Sequence, residues 1–289
     1  MAIDYLHERI RKLKNPSMID FCLKPECIPG HILEEEAGFA KAYGRFCREL
    51  MTALKDIVPA VRLSYGLFSL MGAEGLAQLK TLMQEAKSLG FYLLLDAPEI
   101  TSPWLADNAA QLLTAEDLNL WDGLLISPYI GSDSVKPFLD CCKNGKDLFV
   151  IVRSPNKSAA EIQDLLTGSR HVYDASAEMA NRFAEPILGR CGYSHIGALV
   201  SAGSPECLRT LRAKHNRLFL LVDGLDYPSG NAKNCSYAFD RFGYGGIVCS
   251  GPSVTAAWKE EGAAENYLEA AQQAALRMKK NITRYIDIL

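Results

Sequence analysis

Along the chain, short unbroken apolar runs alternate with stretches in which apolar residues return every third or fourth position. The run Tyr92-Leu-Leu-Leu-Asp96 shows the first pattern, closed by an acid and a proline at 98. Such a run suits a strand buried on both faces. Seven further apolar-rich segments predict strands at Ser17 to Leu23, Ala60 to Ser64, Gly123 to Ser127, Leu148 to Val152, Ile196 to Val200, Leu218 to Val222 and Gly246 to Cys249. Between them, Tyr43, Phe46, Leu50 and Ile57 mark one helix face, stopped by Pro59. Leu76, Leu79, Met83, Ala86 and Leu89 mark another, with Gly90 as its stop.

Further helices are predicted at Val135 to Cys142, at 175–188, and from two start signals. Ser158-Ala-Ala-Glu161 matches a capping box, and Ser204-Pro205-Glu206 offers an N-cap, an N1 proline and a first-turn acid. A helix at about 3–14 carries Ile3, Leu6, Ile10 and Leu13, and Asn15-Pro16 ends it. A long tail helix at about 263–289 carries Leu268, Ala271, Ala275, Met278, Ile282, Tyr285 and Leu289. Eight strand–helix units with apolar strands predict an α/β fold, a (β/α)8 TIM barrel; an open doubly wound sheet is the rival. No Gly/Ser-rich linker interrupts the chain, so 1–289 reads as one domain.

Composition narrows the function classes. Of 289 residues, 48% are hydrophobic and 22% charged, ordinary values for a globular chain that builds its own core. A net charge of −3 speaks against a nucleic-acid partner, which needs a concentrated basic surface. No run approaches the ~20 apolar residues of a membrane span, and the first ten residues do not read as a signal peptide. The nine cysteines include no C-x-x-C pair, and adjacent Cys141 and Cys142 are badly placed for a mutual disulfide. They suit a reducing, cytoplasmic compartment. The five histidines have no metal-ligand spacing, and neither metal nor cofactor is expected.

In parallel α/β proteins, polar groups at the carboxyl ends of the strands line the ligand site. Asp20, Cys22, Arg62, Asp96, Ser127, Arg153, Asp223 and Cys249 all fall at predicted strand ends. They either converge on one ligand pocket or line a solvated, partly collapsed mouth. The natural partner of Asp96 on its strand face is position 98, which is a proline with neither charge nor donor. Asp96 is then either a retained catalytic acid or a buried carboxylate paired with Arg62; the second reading is preferred and predicts a direct contact. Asp20, Asp96 and Asp223 would suit a divalent cation, but Arg62 and Arg153 oppose one. Cys22 has no histidine placed to activate it.

Read together, several segments resemble the long bacterial form of orotidine 5'-monophosphate decarboxylase, a barrel enzyme of pyrimidine biosynthesis. They are Asn15-Pro-Ser17, Ile57-Val-Pro-Ala-Val61, Ala86-Lys-Ser-Leu-Gly90, the stretch from Pro128 to Phe138, Ser158 to Leu165, Gly192-Tyr-Ser-His-Ile-Gly-Ala198 and Ala256-Ala-Trp258. The resemblance implies chemistry by two lysines and two aspartates: a lysine ending the second strand and an Asp-x-Lys-x-x-Asp run ending the third. Here the first lysine's place holds Arg62, and the run reads Asp96-Ala-Pro-Glu-Ile-Thr101. Pro98 thus stands for the proton-donating lysine and Thr101 for the last aspartate. Only Asp96 is retained of the four.

The ligand contacts that the resemblance implies differ too. Asp20-Phe-Cys-Leu23 replaces a Gly-Leu-Asp-Pro segment whose acid helps to hold the ribose. Arg153-Ser-Pro-Asn156 replaces the pyrimidine-reading Ser/Asn stretch. The segment Asp223 to Gly230 replaces a glycine- and glutamine-bearing loop, and Pro252 replaces a phosphate-gripping arginine. A phosphate dianion calls for N–H donors and a cation, and Asp223 and Asp226 would repel it. The expectation is therefore a lyase-family barrel without competent catalytic residues, a pseudoenzyme with a ligand-binding, scaffold or regulatory role. It would form a homodimer, or a hetero-oligomer with an intact decarboxylase. The alternatives are a repurposed enzyme acting on another small anionic substrate and a divergent decarboxylase with residual activity.

Overall fold

Eight parallel strands close on themselves in a computed structural model that describes residues 1–115, 118–262 and 264–288. In chain order they are β1 (Ser17–Asp20), β2 (Ala60–Ser64), β3 (Tyr92–Asp96), β4 (Gly123–Ile126), β5 (Asp147–Arg153), β8 (Ile196–Ser201), β9 (Leu220–Asp223) and β10 (Gly246–Ser250). Between β5 and β8 a small antiparallel hairpin, β6 (Leu166–Thr167) with β7 (Arg170–His171), stands outside the barrel. Each barrel strand pairs with its sequence neighbour, and β10 returns to β1. This is the (β/α)8 barrel, and the open sheet is ruled out.

Side-chain alternation sorts the apolar strand residues into two sets. Leu93, Leu95, Leu124, Ile126, Leu148 and Val150 belong to the larger cluster, packed outward against the helices. Met18, Ala60, Tyr92, Leu94, Leu125, Phe149, Leu199, Phe219, Leu221 and Ile247 belong to a second cluster and fill the barrel. The helix Ala2–Leu13 lays Ile3, Leu6 and Ile10 against this second cluster and stops up the amino-terminal end. Just inside that end, the buried Asp147 carboxylate accepts the Tyr92 hydroxyl at 2.8 Å and meets His195 Nδ1 at 2.6 Å.

The helices follow the sequence with local departures. Gly72–Ser88 ends at Leu89 and Gly90, whose φ of 78° is the left-handed stop that glycine permits. Lys157–Glu161 is one 3-10 turn behind Asn156 with no side-chain cap, because the chain doubles back there to bring Gln163 and Asp164 onto Ser154 and Arg153. Pro137, which lacks an N–H, keeps Lys136–Phe138 in a 3-10 turn before the short helix Leu139–Lys143. The helix predicted at 175–188 is Val172–Ala184, opened by the His171 N–H donating to Asp174. Ser204 caps Pro205–Lys214 with its carbonyl rather than its hydroxyl. The tail helix is Tyr267–Thr283; Tyr285 lies past its end, and Leu289 lies outside the described residues.

Candidate functional site

The inward-facing row does not stop at the last apolar layer. Asp20 follows Met18, Arg62 follows Ala60, Asp96 follows Leu94, Asp223 follows Leu221 and Cys249 follows Ile247, each two residues further along its strand. The stagger of a closed parallel barrel gathers these positions towards its carboxyl end: Asp20 sits opposite Arg62 in register, Cys249 opposite Met18, and Asp96 opposite Ser64. The polar cluster follows from strand period and shear.

Arg62 is its centre and is buried. Its Nε and Nη2 donate to Asp96 Oδ2 at 3.1 and 2.6 Å. Its Nη1 donates to Asp223 Oδ2 at 3.0 Å and lies 3.6 Å from Asp20 Oδ2. The expected Arg62–Asp96 contact is present, and two further carboxylates share the same guanidinium. Burial works against the charge of Arg62, but Asp20, Asp96 and Asp223 more than offset it. Three acids around one cation have the opposite problem. Burial, then Asp223 and Asp96, push the Asp20 carboxyl up to about 6 against the pull of Arg62. Asp96 is raised as well, by burial first and by Asp223.

Above this cluster opens a cavity of about 780 Å³. Asp20, Cys22, Arg62, Asp223 and Cys249 line it, and Asp96 lies behind Arg62, outside the lining. Ser127 and Arg153 stand apart. The Ser127 hydroxyl turns back to the Tyr129 N–H. The register shift at the end of β5 re-aims Arg153, whose fork grips Asp164 at 2.8 and 3.0 Å. The Cys22 thiol is pushed up to about 11 by the surrounding protein and by Asp20, so it stays protonated at neutral pH. Among the described residues, no group of His, Cys, Asp and Glu has the arrangement to hold a metal ion.

The cavity also has walls that strand-end reasoning did not reach. Lys24 and Lys259 stand exposed at the rim, and Tyr227, Pro228 and Pro252 face it from the last two loops. Asp226 closes one side: its carboxylate accepts the Gly251 N–H at 2.6 Å and the Ser250 hydroxyl at 2.8 Å. These residues lie two to nine positions beyond a strand end, where period-two counting carries no information. Pro98 and Thr101 follow β3 in the loop, and the Thr101 hydroxyl turns onto the Glu99 carbonyl.

A closed parallel barrel with an ionised cluster at the carboxyl ends of its strands has the layout of a TIM-barrel enzyme. No family model matches the chain. An orotidine 5'-phosphate decarboxylase from Rhodopirellula baltica is 32% identical over 254 residues, 84% of each chain. One from Clostridium novyi is 27% identical over 288 residues, 98% of this chain and 99% of the other. Among solved structures, a putative orotidine-monophosphate-decarboxylase from Toxoplasma gondii superposes with a TM-score of 0.78 at 20% identity, over 96% of this chain and 98% of that one. The orotidine monophosphate decarboxylase of Leishmania donovani gives 0.76 at 23% identity, over 98% of each. The chain belongs to the orotidine 5'-phosphate decarboxylase family.

Proposed function

We propose that this barrel does not decarboxylate orotidine 5'-monophosphate and serves instead as a non-catalytic member of its family, in a ligand-binding, scaffold or regulatory role. The observation that carries this reading is Pro98. At the position where the resemblance places the proton-donating lysine, proline has no proton to hand to a developing carbanion. Arg62, at the place of the other lysine, is fully engaged by three carboxylates. The phosphate side points the same way, because Asp226 already occupies the Gly251 N–H and Pro252 stands where a guanidinium would be needed. Incubation with orotidine 5'-monophosphate, followed by ultraviolet absorbance, tests the proposal. No turnover above the buffer blank is expected, and sustained turnover would overturn it.

The family frame supports a homodimer of single-domain chains in a reducing, cytoplasmic setting. The loops and helices after β2, β3 and β4 carry Leu70, Trp104 and Tyr129, which are 86%, 80% and 81% exposed. Large apolar groups left exposed on three consecutive units are the kind of surface that a second copy covers. An intact decarboxylase presenting the same face would fit there too. The open cavity of about 780 Å³ favours a second reading, a repurposed enzyme acting on a different small molecule.

A further inference from the structure

At the end of the barrel opposite the mouth, the chain collects arginines. The loops that lead into β8, β9 and β10 meet the helix Ala2–Leu13 around a second cavity, of about 760 Å³. Arg212, Arg217 and Arg241 line it, and Asp240 is the one carboxylate among its described lining residues. Three cations against one acid leave two positive charges in excess, within a chain whose net charge is −3. Asp240 is turned into its own loop. Its Oδ1 accepts the N–H groups of Phe242 and Tyr244 at 2.8 and 3.0 Å, and its Oδ2 accepts the Tyr193 hydroxyl at 2.6 Å.

Among the described residues, none of these arginines has a carboxylate within ion-pair distance. Half-buried Arg212 donates to the carbonyls of Ala238, Asn216, Leu218 and Gly245 at 2.6 to 3.0 Å, which fixes the guanidinium without giving it a counter-ion. Burial lowers its pKa, and Tyr193 and Asp240 do not make up the difference; a bound anion supplies what is missing. Arg217 spends one N–H on the Gly192 carbonyl at 3.0 Å, and Arg241 lies over the Phe242 ring, 4.6 Å from its centroid. Both are exposed, so their other donors are open to a ligand. Rings border the same space: His7 and Tyr244 stand 4.4 Å apart between centroids, and Phe242 is 42% exposed. Burial, then Arg11, hold His7 below its ordinary pKa, so it faces the cavity as a neutral ring at pH 8. Guanidinium forks match phosphate oxygens, and exposed rings match a flat apolar body. We propose that this amino-terminal cavity binds a small phosphate monoester of an aromatic ring, at a site separate from the mouth.

Titration calorimetry of the full chain in low-salt buffer at pH 8 is the test, with phenyl phosphate as probe. Inorganic phosphate and phenol serve as comparisons. Phenyl phosphate should bind saturably with a dissociation constant of about 1 mM or below, inorganic phosphate more weakly, and phenol not at all. The double variant Arg217→Gln/Arg241→Gln changes two exposed side chains, so it should keep the wild-type circular dichroism spectrum and weaken binding about tenfold or more. Arg241→Gln alone, which gives up only the contact with Phe242, is the second variant and should weaken binding in the same direction. Lys24→Gln/Lys259→Gln removes the cations at the rim of the mouth and should leave the affinity unchanged. Absence of binding by the ester, inorganic phosphate as tight as the ester, undiminished binding in both arginine variants, or loss of binding in the lysine variant alone would each overturn the assignment.

Discussion

Arg62 and its three acids decide what the barrel mouth can do. An arginine in the middle of β2 reaches three strands at once through its fork, and a point-charge ammonium would distribute its contacts differently. The cluster also sets a stability profile. Asp20 is raised from an ordinary 3.8 to about 6 in the folded chain, so the folded state holds its proton more tightly than the unfolded state. Its contribution is present in full below pH 3.8 and is lost as pH rises through about 6. Asp20→Asn should therefore stabilise the protein at pH 8 by roughly 1–3 kcal/mol, with the gain fading near pH 4. Urea melts of both proteins at pH 4, 6 and 8 measure this. A gain that is largest at pH 4 would contradict the electrostatic account.

At the scale of elements, all eight barrel strands were legible because short apolar-rich segments bounded by turn signals and alternating with helical stripes suit strands buried on both faces. Strand-end arithmetic also placed Asp20, Cys22, Arg62, Asp223 and Cys249 at the mouth, with Asp96 behind Arg62. It failed for Arg153, because the irregular end of β5 and the acid at 164 cannot be read from period two. It also passed over Lys24 and Lys259, which reach the cavity from beyond the strand ends, and Asp226 came into view only through the resemblance. Helix boundaries moved wherever the chain preferred a tertiary partner to a local cap, as at 157–161. The helix Ala2–Leu13 was plain from its stripe, but its place at the amino-terminal end of the barrel was not. Leu6 is fully buried there, so Leu6→Ala should cost about 2–5 kcal/mol in a denaturant melt. A loss below about 0.5 kcal/mol would mean that this helix does not plug the barrel.

For the whole molecule, shared ancestry does not by itself decide chemistry. The chain keeps the family's frame over nearly its full length, and fold alone does not confer activity. Its exposed Leu70, Trp104 and Tyr129 give the assembly prediction: wild type should run as a dimer in light scattering, and a Leu70→Glu/Trp104→Glu double variant should run as a folded monomer. A wild type that is monomeric at tens of micromolar would remove the dimer. The central claim concerns Pro98, and the most direct measurement of it is single-turnover release of labelled carbon dioxide from carboxyl-labelled orotidine 5'-monophosphate. With protein in excess over substrate, the account predicts release no faster than in buffer. Release of a full equivalent within minutes would show that this barrel still finds a proton for the ring.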